Sequence, residues 1–598
     1  FYCYGNTARY YVRYSGATRT LGIAGGDYSH HCVCTEFQEG WPVTDTMNQT
    51  LIQIRRMVSG LRVRLSTEML ALIASIYFAL ACNASFWVAI EREAPTQLVQ
   101  SSLYFICLFV LLTALQFILL TLMINRWTAK PILFVLIIMT VAATYFMSKF
   151  GIYLDTDMVR NALNTDWRET RELLSVDMIP YFFMHATLPL AFISIIEIRD
   201  EPLRESWWIK PAAVVLAIGV VALSLAPISQ SLIPQIRENK GLRHLVTPGN
   251  YLMSLARLSA DKPHLNREAR EVIGLDAIKV NSENEKPLLL IIVLGETVRG
   301  ENWGLNGYTR QTTPRLAALN VINFSDASSC GTNTEVSVPC MFSSYGRQHY
   351  DLDKIRNSES FLHVLDRGKV SVQWRDNQSG CKGVCDGLDA VSTALFQDPA
   401  LCNAEGCLDA VLLNGLNEQI QNKSGDQTIV MHQMGNHGPS YYLRYPEAFR
   451  RFAPDCRTSN LGACTSEQVI NSYDNAILYT DDFIANTISL LSKFSNTHRV
   501  AMLYVSDHGE SLGEHGLYLH SIPYSIAPST QTHIPMVLWM ANSNDFGINA
   551  ECMQKKSSLP VSHDNIFHTV LGLADIKTKA YDAEMDLAEA CRTPTKLY

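Results

Sequence analysis

The stretch Leu288-Leu289-Leu290-Ile291-Ile292-Val293-Leu294-Gly295-Glu296-Thr297 decides how the second half of the chain folds. Seven apolar residues run unbroken and stop at a glycine followed by a carboxylate. The run is too short to cross a bilayer, which takes about 20 residues, and too continuous for a half-exposed strand, which would alternate. It reads as a strand buried on both faces, the kind found in a parallel sheet covered by helices. Val370 to Trp374, Thr428 to His432, Val500 to Val505 and Pro535 to Met540 read the same way, with helical patterns between them. From Lys286 onward the chain is therefore expected to form an α/β layered domain with a largely parallel sheet.

The first half reads differently. Five apolar stretches are long enough for a bilayer: Met69 to Ile90, Leu98 to Ile124, Ile132 to Met147, Met178 to Ile196 and Ala212 to Ile233. They hold no Asp, Glu, Lys or Arg, and His185 is their one side chain that titrates near neutral pH, whereas a buried globular helix of such length shows a polar stripe. Basic residues set the orientation. Arg55, Arg56, Arg62 and Arg64 precede the first stretch, Arg126 and Lys130 follow the second, and Arg199, Arg204 and Lys210 follow the fourth. That side is the cytoplasm. The loop from Lys149 to Asp177 and everything after Ile233 then lie outside.

The 598 residues carry 49 Lys and Arg against 57 Asp and Glu, a net charge of −8, which offers no basic surface for nucleic acid. Residues 1–56 show neither helical nor strand period, and Met57 opens a basic, then apolar segment like an insertion signal, so 1–56 are expected to be a non-native upstream extension or a disordered tail. The remaining divisions are 57–235 for the membrane domain, 236–280 for a linker with amphipathic, interfacial helices (the stretch Arg267 to Ile273 among them), and 281–598 for the outer α/β domain. Pro248 and Pro263 make the linker a candidate hinge. Ten cysteines follow the last span, and eight lie close in pairs: Cys330 and Cys340, Cys381 and Cys385, Cys402 and Cys407, Cys456 and Cys464. Cys552 and Cys591 remain as a fifth pair. No four-ligand zinc spacing accompanies them, so disulfides in an oxidising compartment are expected.

In an open α/β sheet, ligands bind beyond the carboxyl ends of the strands. The residues just past the apolar runs are Glu296, then Gly435-Asn436-His437-Gly438-Pro439, then Ser506-Asp507-His508-Gly509-Glu510. Carboxylates with imidazoles suit Zn²⁺ with one position left for substrate. A hydroxyl as further ligand would become a nucleophile. Thr334, in Ser328-Ser329-Cys330-Gly331-Thr332-Asn333-Thr334-Glu335, sits near an expected helix start, where backbone N–H groups steady a phosphate. A plain helix cap explains Thr334 equally well at this level.

These segments resemble the zinc-dependent phosphoethanolamine transferases that modify lipid A, membrane relatives of the alkaline phosphatase and sulfatase superfamily. The resemblance rests on Gly295-Glu296-Thr297, Cys330-Gly331-Thr332-Asn333-Thr334, Asn436-His437-Gly438-Pro439 and Ser506-Asp507-His508-Gly509-Glu510-Ser511, and it runs from about Met57 to the end. It implies five transmembrane helices in the inner membrane of a Gram-negative cell and an alkaline-phosphatase-like α/β/α domain in the periplasm. It further implies one tightly bound Zn²⁺, with an optional second, held by Glu296, Thr334, Asp507 and His508, with Thr334 the acceptor of phosphoethanolamine. His437 and His520 would serve the substrate phosphate, the leaving group or a second zinc. Ser379 and Lys382 would contact the headgroup, as would Asn161, Thr165 and Glu169, spaced on one face of a helix expected across them.

Phosphatidylethanolamine as donor, lipid A as acceptor, a monomer in the membrane and polymyxin or colistin resistance follow from the same resemblance. A sulfatase nucleophile needs a Cys or Ser in a C/S-x-P-x-R segment, and none surrounds Cys330 or Cys340. Lipopolysaccharide core or a periplasmic glucan as acceptor, phosphoglycerol as the transferred group, and an inactive lipid sensor are the competing expectations.

Overall fold

The computed structural model describes residues 63–91, 98–165, 167–199, 203–260, 270–280, 286–396, 398–403 and 405–593, with the side chains of 98–100, 168, 203–206 and 394 also left aside. The expected upstream extension (1–56), Arg55, Arg56, Arg62, Pro263 and Arg267 lie outside these residues, and the Arg204 side chain is among those left aside.

The membrane domain comprises α1 (Thr67–Ala81), α2 (Ala84–Glu91), α3 (Leu98–Met123), α4 (Ala129–Phe150), two short helices α5 (Thr156–Asn164) and α6 (Trp167–Leu173), α7 (Met178–Ile195) and α8 (Leu203–Glu238). Among the described residues four helices are long and apolar enough to cross a bilayer, and the pair α1 and α2, bent by 55°, supplies a fifth if counted as one span. The bend corrects the expectation of one continuous helix over Met69 to Ile90. Its cause is a buried polar knot: Asn83 Nδ2 donates to Phe78 O and Thr247 O, Asn83 Oδ1 accepts from Thr247 N–H, and Thr247 Oγ1 donates to Cys82 O. An amide that bonds the backbone locally competes with the helix ladder and breaks it. Arg64–Leu65 pairs with Glu197–Ile198, Lys130 Nζ reaches Ser194 O, and Lys210 Nζ reaches Ile124 O, so basic residues gather at one end of the bundle.

After α8 the chain does not run slack. A 3₁₀ turn at Leu242–His244 leads into α9 (Gly249–Ala260), whose Tyr251 hydroxyl meets Thr140 on α4 at 2.8 Å.

The catalytic domain is built on β1 (Leu288–Gly295), β2 (Ile322–Ser328), α10 (Thr334–Met341), β3 (Ser371–Asp376), β4 (Asp389–Ser392), β5 (Gln427–His432), α11 (Ser466–Ser492), β6 (Arg499–Ser506), β7 (His533–Met540) and β8 (Val561–Ser562). The eight strands form one sheet in the order β8-β2-β7-β6-β1-β5-β3-β4. Only β7 among these pairs antiparallel to its neighbours. All eight residues of β1 are buried, so the unbroken apolar run is the centre of the sheet. The register aligns Leu294 with His432 and with Val505, and His432 with Asp376, so the residues that follow β1, β5, β6 and β3 emerge along one carboxyl edge. Five disulfides join Cys330–Cys340, Cys381–Cys385, Cys402–Cys407, Cys456–Cys464 and Cys552–Cys591.

Candidate active site

Glu296, Asp507 and His508, each fully buried, offer one ligand atom apiece within 4.8 Å of one another. His508 Nε2 lies 3.4 Å from Glu296 Oε1 and 3.3 Å from Asp507 Oδ2. His508 Nδ1 faces Gly509 O at 2.9 Å; the charged ring donates there and through Nε2 toward the carboxylates, and a bound cation would take the place of the Nε2 proton. The Thr297 hydroxyl and main chain fix the two acids, donating to Glu296 Oε1 at 2.6 Å and to Asp507 Oδ1 at 3.0 Å.

Thr334 completes the group. Its Oγ1 stands 3.1 and 3.2 Å from the two oxygens of Glu296 and 3.5 Å from His508 Nε2. Asn333, not Thr334, caps α10, its side chain accepting from Val336 N–H at 3.0 Å. The capping alternative for Thr334 is thereby set aside, and its hydroxyl faces the acids from the first turn of the helix, where the dipole favours negative charge.

Electrostatics describe a set short of one positive charge. Burial disfavours the charge on Glu296, but the His508 hydrogen bond and the nearby His508, His437 and His432 rings hold it well below its usual range. Burial and the charge of Glu296 push Asp507 up to about 7. Burial opposes a charged His508, yet Asp507 and Glu296 raise it to about 10. Without a cation the carboxylates keep a proton among them, and Asp507 Oδ2 is buried with no hydrogen-bond partner among the described residues. Two carboxylates, one with an orphaned oxygen, and an imidazole fit a divalent ion of the zinc type.

Around this centre the other expected residues fall into place unevenly. His520 and His437 lie beside it, with ring centroids 4.5 Å apart for His508 and His520 and 5.6 Å for His437 and His520. His520 Nδ1 meets Glu510 at 2.8 Å, and burial together with His508 and His437 keeps His520 well below its usual pKa. His437 Nδ1 is buried without a partner among the described residues. Lys382 Nζ donates to Ser379 Oγ at 2.6 Å and lies 3.9 Å from Glu335, the neighbour of Thr334.

The helix expected across Asn161, Thr165 and Glu169 is instead two. Thr165 has extended backbone at the end of α5, its hydroxyl donating to Asn161 O at 2.8 Å, so the three do not share one helical face. Glu169, on α6, accepts from Gln378 Nε2 at 3.2 Å, next to Ser379. A hydrogen bond from α5 to the catalytic domain comes from Asn164, whose amide reaches Glu335 at 2.9 Å. Asn161 and Thr165 are half-buried on the same segment.

Sequence reading missed several residues that build the site. His432, the last residue of β5, is buried with Nδ1 3.0 Å from Asp376 and Nε2 3.9 Å from Glu296; burial opposes its charge, but Asp376 raises it. Glu510 accepts from the Tyr441 hydroxyl at 2.6 Å, and burial pushes it up to about 8. Asp409 accepts from Met434 and Gly435 N–H at 2.8 and 2.9 Å and so holds the loop leading to His437. A polar residue ending an apolar strand was the available signal for His432. Nothing local marks Asp409.

Fold and site together define a membrane-embedded enzyme with a sulfatase-type domain, in which the Thr334 hydroxyl faces a buried acid and histidine cluster. Family comparisons agree: residues 289–576 match the Sulfatase model and residues 112–262 match Phosphoethanolamine transferase EptA/EptB. The chain is 35% identical over 545 residues to phosphoethanolamine transferase EptA of Escherichia coli (strain K12), covering 90% of this chain and 99% of that one. It is 34% identical over 543 residues to phosphatidylethanolamine transferase Mcr-1 of Escherichia coli, covering 89% and 97%. The solved integral membrane protein lipooligosaccharide phosphoethanolamine transferase A from Neisseria meningitidis is similar with a TM-score of 0.85 at 33% identity, covering 89% of this chain and all of that one. The chain belongs to the EptA and Mcr family of phosphoethanolamine transferases.

Proposed function

We propose that the protein transfers phosphoethanolamine from phosphatidylethanolamine to a phosphate of lipid A through a covalent intermediate on Thr334, at the periplasmic face of the inner membrane. The observation that carries this reading is Thr334 Oγ1 held 3.1 to 3.5 Å from Glu296 and His508. A zinc ion held by Glu296, Asp507 and His508 together with Thr334 would act as a Lewis acid that eases loss of the threonine proton.

Thr334 Oγ1 attacks the donor phosphorus, and the bond to diacylglycerol breaks. Lys382, tethered through Ser379, faces the phosphoryl oxygens, where a fixed cation stabilises developing charge. Glu169 faces the ammonium, and Asn161 and Thr165 border the headgroup on the same segment. His437 and His520 move protons, one to the departing diacylglycerol oxygen and one at the entering phosphate. A phosphate oxygen of lipid A then displaces Thr334. Each transfer sets an ammonium beside a lipid A phosphate, which weakens the attraction of cationic peptides such as polymyxin and colistin.

The test is to supply phosphatidylethanolamine without acceptor, quench with acid and map peptides by mass spectrometry. Phosphoethanolamine on the Thr334 peptide is the expected result. An unmodified Thr334 peptide from enzyme that releases diacylglycerol at full rate overturns the covalent step.

A further inference from the structure

The membrane domain carries a groove that shares no lining residue with the Thr334 site. It lies between α3 and α9, has a volume of about 300 Å³, and is walled by Leu112, Leu115 and Leu119 on one side and Met253 on the other. Leu115 and Met253 are 49% and 58% exposed, so apolar surface faces outward from a helix that spans the bilayer. Arg243 and Arg257 stand at its rim, both exposed. Arg243 Nε donates to the adjacent His244 at 3.0 Å, and neither arginine pairs with a carboxylate among the described residues.

Two uncompensated arginines beside an apolar wall match one chemistry: a phosphate ester carrying acyl chains. They also run against the usual distribution, since both follow the last span and lie on the outer side, where basic residues are scarce. The groove offers no acidic side chain among its lining residues, in contrast to Glu169 at the catalytic site. An ammonium headgroup would find two positive charges and no partner there.

We propose that this groove binds an anionic phospholipid, of the phosphatidylglycerol type, with its phosphate between Arg243 and Arg257 and an acyl chain along Leu112, Leu115, Leu119 and Met253. The site is separate from the donor site. It steadies α9 against α3 just ahead of the catalytic domain.

Native mass spectrometry of the full-length protein, released from vesicles of equal phosphatidylglycerol and phosphatidylethanolamine, tests this. The wild type should retain phosphatidylglycerol in preference to phosphatidylethanolamine. Each surface arginine is worth about 1 kcal/mol toward an anionic lipid, so the pair Arg243→Gln and Arg257→Gln should lose about thirtyfold in phosphatidylglycerol affinity. The pair Arg243→Lys and Arg257→Lys should keep most of it. Leu115→Trp, which fills the groove without altering charge, should weaken retention, while Glu169→Ala should leave it unchanged. Equal retention of the two lipids by the wild type, or undiminished phosphatidylglycerol in the glutamine pair, overturns the proposal, and so does its loss on Glu169→Ala.

Discussion

Thr334 owes the freedom of its hydroxyl to the residue before it. Because Asn333 takes the capping bond of α10, the Thr334 hydroxyl is spared for Glu296 and His508. Thr334→Ala is expected to lower transfer by about a thousandfold or more while zinc content stays near wild type, and Thr334→Ser should retain measurable turnover; kinetics beside metal analysis check both. Glu296→Gln and Asp507→Asn should lose the metal itself. His563 accepts from Cys330 N–H at 3.0 Å and faces Ser506 O at 2.9 Å, tying the Thr334 loop to β6. Burial lowers His563 to about 4. Its unfolded pKa is near 6.5, so the unfolded chain binds the extra proton between those values, and the stability it contributes is complete above about pH 6.5 and lost as pH falls toward 4. The loss is up to about 3 kcal/mol. Thermal unfolding of the full-length protein at pH 5 and 7.5 should show a larger shift for the wild type than for His563→Gln. Glu296, Asp507 and His508 stood out in the sequence because they follow apolar runs, whereas a role for Thr334 beyond a helix cap came only from the family resemblance. Glu510 and Asp409 were not, since what they grip is decided by strands far apart in the chain.

The segment from α5 to α6 shows what an element adds beyond its residues. It leaves the membrane domain and bonds the other domain at three places, the first turn of α10 and the loops after β3 and β5: Asn164 meets Glu335, Glu169 meets Gln378, and Glu172 pairs with Arg444. Arg444 also donates through Nε to His437 O at 2.7 Å, so Glu172 steadies the histidine loop from across the domain boundary. Both partners are nearly buried, with side chains 12% and 4% exposed. Removing one partner of such a pair strands a buried charge. Glu172→Gln should therefore lower kcat about tenfold with little change in zinc content, and steady-state kinetics with metal analysis would show it; an unchanged kcat would make the pair merely structural. Sequence period suggested one helix here and one in the first span. Thr165 and Asn83 broke both expectations by bonding their own backbones, a choice that apolar spacing does not record.

Across the whole molecule the architecture was the most legible feature, because unbroken strands such as β1 and charge-free helices such as α3 carry their environment in their composition. Strand order was not legible, as β1 lies between β5 and β6, which follow it by more than a hundred residues. The disulfides differ in reach: Cys552–Cys591 spans 39 residues and Cys402–Cys407 spans 5. Loop-closure entropy puts them at about 4 and about 2 kcal/mol, so Cys552→Ala with Cys591→Ala should lower the thermal midpoint of the full-length protein more than Cys402→Ala with Cys407→Ala. In the proposed function the Thr334 hydroxyl carries phosphoethanolamine between two lipids. The most direct measurement is mass spectrometry of lipid A from a Gram-negative strain expressing the protein, beside the same strain expressing Thr334→Ala at matched levels. Phosphoethanolamine on lipid A with the wild type alone is the predicted result, and lipid A equally modified by Thr334→Ala would contradict the account.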